Sequence, residues 1–310
     1  MAVAYVQTAA PAVKRGLVSR LLEDEGRLAL ALFLPTVIIL GLFIAYPFVK
    51  GVMLSVTNTT VGVAGEFVGL KNFEKIWNDS IFQTAVWNTC WYTAVTTVFK
   101  LALGLWLAVL LNRHFKGKAF IRAFVLLPFI IPTVLSTFAW KWMFDPTFSV
   151  INWMLFQLGV IKQRINWLGD PDLALASVMV VNIWRGVPFY AISLLAGLQT
   201  ISPELHEAAA IDGARPWQRF WYITWPLLLP VTMVVVLFSV IQTFADFQLV
   251  YVLTGGGPAN ATHLFATYAY QIGVGTGLLS EGAAISLAMF PVLFVVVIVQ
   301  LLYIRRVETL

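Results

Sequence analysis

Two sets of polar side chains interrupt long apolar runs, and each set keeps to one helical face. Asn182, Arg185, Phe189 and Ser193 follow at intervals of three, four and four residues, and Ser239, Gln242 and Asp246 at three and four. Such intervals stack side chains on one side of a helix. Trp184 and Tyr190 accompany the first set, and Gln248 follows the second. This combination suits a polyhydroxylated solute. Aromatic faces stack on the C–H patches of a sugar ring, while amides and carboxylates bond its hydroxyls. The plainer alternative is that these groups join helix to helix, or to another subunit. Charges in a span cost at least about 2.5 kcal/mol at the helix centre, so Arg185 and Asp246 each need a reason to be there. Counted along their runs, Arg185 lies about 18 Å from the outer end and Asp246 about 30 Å from the inner end. A direct ion pair between them is not expected.

Covalent chemistry finds little support. The histidines, His114, His206 and His263, are scattered without ligand spacing. The single cysteine, Cys90, excludes an intrachain disulfide and a cysteine-based metal cluster. No His-Glu-x-x-His helix and no Ser/His pair within the spans is present. No Gly-x4-Gly-Lys-Ser/Thr phosphate loop occurs either, so this chain shows no means of binding ATP itself. Neither a catalytic role nor a cofactor or metal of its own is expected.

The elements that would position these residues are membrane helices. Of the 310 residues, 60% are hydrophobic and 11% charged, against roughly 25% charged in soluble domains. The net charge of +5 therefore reports topology rather than contact with nucleic acid. Residues 1–27 form a polar segment with Lys14, Arg15, Arg20 and Arg27, without the cleavage pattern of a signal peptide. Six spans are expected at about 28–49, 88–111, 123–144, 173–198, 226–253 and 282–304, each near the ~20 residues a bilayer requires. Prolines 35, 47, 128, 132, 188, 230 and 291 lie within these spans or at their ends. Each can free a backbone carbonyl and permit a kink. Trp140, Trp142 and Trp153 suit an interfacial aromatic belt. Twelve Lys and Arg fall on the side of the termini and five on the other. Both termini are therefore expected in the cytoplasm, with 50–88, 145–172 and the segment opened by Gly255-Gly256-Gly257-Pro258 outside.

Between the fourth and fifth runs lies an island of charged and small residues. Ser202 and Pro203 suit an N-cap and first helical position. Glu204 and Glu207 suit the first turns of a helix. Gly213 can take the positive φ that ends it, and Pro216 can start a second short helix. The island reads as helix, glycine turn, helix at the membrane surface, a knob for a partner's groove, or more plainly as an amphipathic loop.

Its spacing carries a resemblance. Glu207, Ala208, Ala209, Gly213, Ile223 and Pro226 match the "EAA" coupling loop of ABC importer permeases, and Asp212 and Ala214 flank the glycine as in the carbohydrate branch. Phe220 and Pro230 also fit; Trp225 departs, standing where the family has Leu. The strings Phe67-Val68-Gly69-Leu70-Lys71-Asn72-Phe73 and Tyr251 to Pro258 resemble the same branch, which includes the maltose and glycerol-phosphate permeases.

The resemblance implies an all-α integral membrane protein of six transmembrane helices. Residues 28–310 would form the permease domain, with a cytoplasmic coupling loop at about 203–225 and a cytoplasmic segment at 1–27. It implies a permease subunit in the bacterial inner membrane importing a sugar, polyol or glycoside. Its implied partners are a second homologous permease, two cytosolic ATPases that bind ATP and Mg²⁺, and a periplasmic or lipid-anchored solute-binding protein. Glu207, Ala208, Ala209, Asp212, Gly213 and Ala214 would meet the ATPase. Candidates for the substrate pathway are Asn182, Trp184, Arg185, Phe189, Tyr190, Gln242, Asp246 and Gln248. A non-carbohydrate solute remains the alternative. An ion-coupled secondary transporter would require inverted repeats and midplane carboxylates, which the sequence does not display.

Overall fold

A computed structural model describes residues 25–308. The polar segment 1–27, with Lys14, Arg15 and Arg20, lies almost wholly outside the described residues. Among the described residues the regular structure is helical, apart from two isolated β-bridges, with turns and loops between the helices. Five helices are long and apolar enough to cross a membrane, and a sixth crossing exists if one sharply bent pair counts as a single span.

The chain divides into two units, residues 1–53 and 54–310. The described part of the first is a helix, α1 (Glu25–Leu40), a wide π turn at Gly41–Ala45, and most of α2 (Tyr46–Ser55). The π turn directly precedes Tyr46-Pro47, and the Tyr46 amide donates to the Gly41 carbonyl five residues back. A proline ring would meet the carbonyl four residues behind it in a regular helix, and the wider turn makes room.

The second unit opens with α3 (Lys71–Trp77) and α4 (Ser80–Asn112). Asp79 caps α4, accepting from the Ile81 amide at 2.9 Å. Then come α5 (Lys118–Ile130) and α6 (Thr133–Met143), bent by 89° at Ile131-Pro132. The expected third span at 123–144 is thus a broken one, because Pro132 can supply no amide across the junction. The short helix α7 (Val150–Gln157) leads to α8 (Pro171–Gln199). Asp170 caps α8 by accepting from the amides of Asp172 (2.9 Å) and Leu173 (3.2 Å). The island follows as α9 (Pro203–Ile211) and α10 (Pro216–Arg219), then a π turn (Phe220–Thr224) and α11 (Trp225–Phe244). The fifth span was expected to begin at Pro226; instead Pro216–Phe244 is one continuous 29-residue helix. Its π turn again sits just before a proline, with the Trp225 amide reaching back to Phe220. After a break come α12 (Gln248–Leu253), α13 (Phe265–Tyr270), a π turn (Gln271–Gly275) and α14 (Leu279–Glu308).

The centre of this unit is the pairing of α4 with α8. Lys100 faces Asn182 and Gly186, and four residues on Gly104 faces Tyr190, so the helices run parallel in register. A methyl group at Gly186 would collide with the Lys100 stem, and one at Gly104 with the Tyr190 Cβ. Small residues let the backbones close in, the usual device between membrane helices. Below, Tyr190, Leu194, Leu195 and Leu198 pack with Ala108, Leu111 and Leu228; above, Tyr92, Val178 and Val181 pack with Leu249, Val250 and Leu253. The polar residues lie between these two apolar layers.

Candidate functional site

Between the layers is a cavity of about 380 Å³, within the range of small-molecule sites. Its wall includes Lys100 of α4, Phe129 of α5, Asn182, Arg185 and Phe189 of α8, Phe238, Ser239 and Gln242 of α11, then Asp246 and Gln248. Six of the eight expected pathway residues therefore meet at one site. Trp184 and Tyr190 are not among them. Trp184 packs edge-on to Trp140 at 5.4 Å, and Tyr190 is fully buried in the lower apolar layer. Trp140 is consequently a packing residue rather than part of a belt, whereas Trp142 and Trp153 are well exposed.

Asp246 departs from expectation in another way. It does not continue the face of Gln242, because α11 ends at Phe244 and Asp246 lies in the break before α12. Its carboxylate is held there by three donors. One oxygen accepts from the Tyr92 hydroxyl at 2.8 Å and the Asn182 amide at 3.1 Å; the other takes the Leu249 amide at 3.4 Å. The Asn182 oxygen in turn accepts from the Lys100 ammonium at 2.9 Å, which also donates to Thr243 at 2.7 Å. One chain of hydrogen bonds thus runs Tyr92–Asp246–Asn182–Lys100–Thr243 and ties α4, α8 and α11 together. Asn182 is the relay between a cation and an anion, and its amide orientation is fixed by both. Lys100, 2% exposed, is the residue that sequence reasoning missed. Its signal was a lone cation in an apolar run.

The remaining polar groups are unspent. Gln242 and Gln248 are exposed to the cavity and have no side-chain hydrogen bond among the described residues. The Arg185 Nε is buried without a partner, and Arg185 forms no ion pair with Asp246. Beside them three rings make a continuous aromatic wall. Phe189 stacks on Phe129 at 5.8 Å and leans on Phe238 at 5.4 Å. Chemically this is a face of rings opposite free amides and one guanidinium.

The island has the form expected of it. Ser202 caps α9 with Pro203 at its first turn. Gly213 stands at φ +81°, the Gly213 amide donates to Ala210 at 3.1 Å, and the Ala214 amide to Ala209 at 2.9 Å. This paired closure ends helices at a left-handed glycine. Arg219 reaches back to the His206 carbonyl at 3.3 Å, fixing the second helix against the first. Glu207, Ala208, Asp212 and Gly213 are exposed, Ala209 and Ala214 partly so. Ile211 and Trp217 are 87% and 67% exposed.

Residues 100–309 match the model of the family described as binding-protein-dependent transport system inner membrane component. Over 286 residues the chain is 35% identical to a trehalose/maltose transport system permease protein of Thermococcus litoralis, covering 92% of this chain and 96% of that one. It is 36% identical over 280 residues to a sulfoquinovosyl glycerol transport system permease protein of Agrobacterium fabrum, covering 90% of each. Among solved structures, a chain of a bacterial ABC transporter involved in import of the acidic polysaccharide alginate superposes with a TM-score of 0.79 at 25% identity, covering 93% of this chain and 99% of that one.

Proposed function

This chain belongs to the family of binding-protein-dependent transport system inner membrane components, and on that footing we propose that it moves a sugar, or a related polyol or glycoside, across the membrane as one permease half of an ABC importer. It is a multi-pass subunit of the inner membrane and does no covalent chemistry. In this reading a periplasmic or lipid-anchored binding protein delivers the solute, and a second homologous permease completes the pathway. Two cytosolic ATPases, which hold ATP and Mg²⁺, dock on the two coupling loops. Residues 203–225 are this chain's loop, with Glu207 and Gly213 central to it. Residues 1–27 and the C-terminus lie on the cytoplasmic side with the island, and 28–310 form the permease domain.

The observation that carries the reading is the continuity of one helix. Pro216–Phe244 starts three residues after Gly213 and ends two residues after Gln242. A displacement of the island's second helix is therefore carried along one helix to a cavity wall. Gln242, Gln248 and the rings of Phe129, Phe189 and Phe238 are the proposed solute contacts. Arg185 favours, as a second reading of the same site, a sugar bearing an acid group.

The test is a panel of neutral sugars, acidic sugars, polyols, amino acids and inorganic phosphate, screened by thermal shift against the cognate binding protein. The best hit is then followed for ATP-dependent uptake by the reconstituted complex. A shift and uptake confined to amino acids or inorganic phosphate would overturn the carbohydrate assignment.

A further inference from the structure

The segment between α6 and α8 carries an apolar face outside the cavity just described. Ser149 caps α7, accepting from the Asn152 amide at 3.0 Å, and its hydroxyl donates to the Met143 carbonyl at 2.6 Å. So α7 starts against the last turn of α6, at the boundary where a membrane helix ends. Asn152, 4% exposed, locks the other side. It donates to the Ile165 carbonyl at 2.9 Å and accepts from the Ile165 amide at 3.3 Å and the Trp167 indole at 3.0 Å. The segment is a fixed platform. Yet Phe148, Trp153, Phe156, Leu158 and Val160 are 70%, 63%, 57%, 75% and 66% exposed. Beside α7 opens a trough of about 560 Å³, lined by Phe148, Trp153, Phe156 and Ile161 and rimmed by Lys162 and Arg164. Neither cation has an ion-pair or hydrogen-bond partner for its side chain among the described residues.

We propose that this trough binds an acidic phospholipid, with acyl chain on the rings and headgroup phosphate between Lys162 and Arg164. Three features choose lipid over a docking protein. The platform is tied to the end of a membrane-length apolar segment, where a span gives way to the interface. Tryptophan and phenylalanine beside bare cations are the composition of a membrane interface. Two unpaired cations at the rim complement an anionic headgroup, each contributing on the order of a fivefold gain in binding. The proposal rests on the transport reading only for the leaflet, which follows from 145–172 lying outside.

The experiment uses the complex purified in nanodiscs of phosphatidylcholine, with and without phosphatidylglycerol. Phe156→Cys on a Cys90→Ser background carries an environment-sensitive fluorophore, and Val160→Cys is the second label site should the first disturb folding. Spin-labelled acyl chains should quench the label several-fold more than aqueous iodide. Lys162→Ala with Arg164→Ala should lower phosphatidylglycerol affinity, read as lipid retained on purification, by on the order of twentyfold. Quenching dominated by iodide would overturn the proposal and leave a water-facing surface for a protein partner; unchanged lipid retention would equally overturn it. Neither measurement requires transport, so failure here leaves the carbohydrate reading standing, and loss of uptake would not touch this one.

Discussion

The ammonium of Lys100 donates to the amide oxygen of Asn182 at 2.9 Å, and the nitrogen of the same amide donates to Asp246 at 3.1 Å. A cation and an anion inside the membrane are thereby joined through one neutral side chain. This changes what Asn182 and Asp246 can do. Both spend hydrogen bonds on neighbouring helices and so hold three spans in register, while each keeps further hydrogen-bonding capacity on the cavity wall. Lys100→Met should therefore destabilise the protein by about 3 kcal/mol, since it strands the buried Asn182 oxygen and leaves the carboxylate without its nearby cation. Thermal unfolding in detergent reads this. Adding Asp246→Asn to Lys100→Met should recover part of the loss, and the absence of any recovery would count against the relay.

Much of this was legible in the sequence, and the exceptions share a cause. Ser202, Pro203, Gly213 and the apolar runs act locally, so caps, turn and most spans follow from residue type and spacing. The break after Phe244 was not legible. Ala245-Asp246-Phe247 contains no breaker, and the polar periodicity passes straight through it. The chain turns there because Tyr92 and Asn182, distant in sequence, hold Asp246. Lys100 was visible as a lone charge, but its partners belong to other helices. The place of Trp184 and Tyr190 outside the cavity lining was legible too. Each is one residue, about 100°, from Arg185 or Phe189, and so lies off the face those residues share.

Gln242 is the counterpart of Asn182: it faces the cavity with nothing bonded. Gln242→Leu should leave the melting temperature within about 2 °C, as surface-like substitutions do. Uptake at sub-saturating solute should fall on the order of tenfold, the effect of losing one or two hydrogen bonds to a ligand. Equal loss of stability and uptake would place Gln242 with the structural network instead.

His263 offers a pH-dependent contact in the segment after α12. Its ring is buried, lies 5.5 Å from the Tyr268 ring and within 3.2 Å of the Thr267 hydroxyl, and a side chain at Gly256 would strike it. Burial lowers its pKa below the ordinary histidine value. The folded state thus prefers the neutral ring, and the unfolded chain binds the proton more readily. Stability from this site should be complete above about pH 6.5 and should decline as pH falls below that value. Hydrogen exchange across 254–268 at pH 5 and pH 7.5 measures it, with faster exchange at pH 5 beyond the intrinsic pH effect, and the difference should vanish in His263→Gln.

Orientation is open to direct measurement. Reporter fusions at residues 115 and 215 should report cytoplasm, and fusions at 65, 160 and 260 the opposite side. The excess of Lys and Arg on one side is the physical basis. A non-cytoplasmic signal at 215 would remove the coupling-loop assignment altogether.

Gly213 separates backbone geometry from contact. It sits at φ +81° with open space where a Cβ would be, so a substitution there meets no neighbour and acts only through the backbone. A β-branched residue at such a φ costs at least about 1–2 kcal/mol, whereas asparagine tolerates it far better. Gly213→Val should therefore loosen the closure formed by the Gly213 and Ala214 amides, and Gly213→Asn should largely keep it. If the island is the ATPase docking knob, transport per ATP hydrolysed should drop for valine and stay near wild type for asparagine. Solute affinity of the binding protein should not change in either. Glu207→Lys supplies an independent check, since Glu207 is exposed on α9 and its loss leaves the turn intact. It should weaken co-purification of the ATPase while hydrogen exchange of the turn amides stays slow. Undiminished coupling in both Gly213→Val and Glu207→Lys would show that the island, however well formed, is not where the ATPase acts.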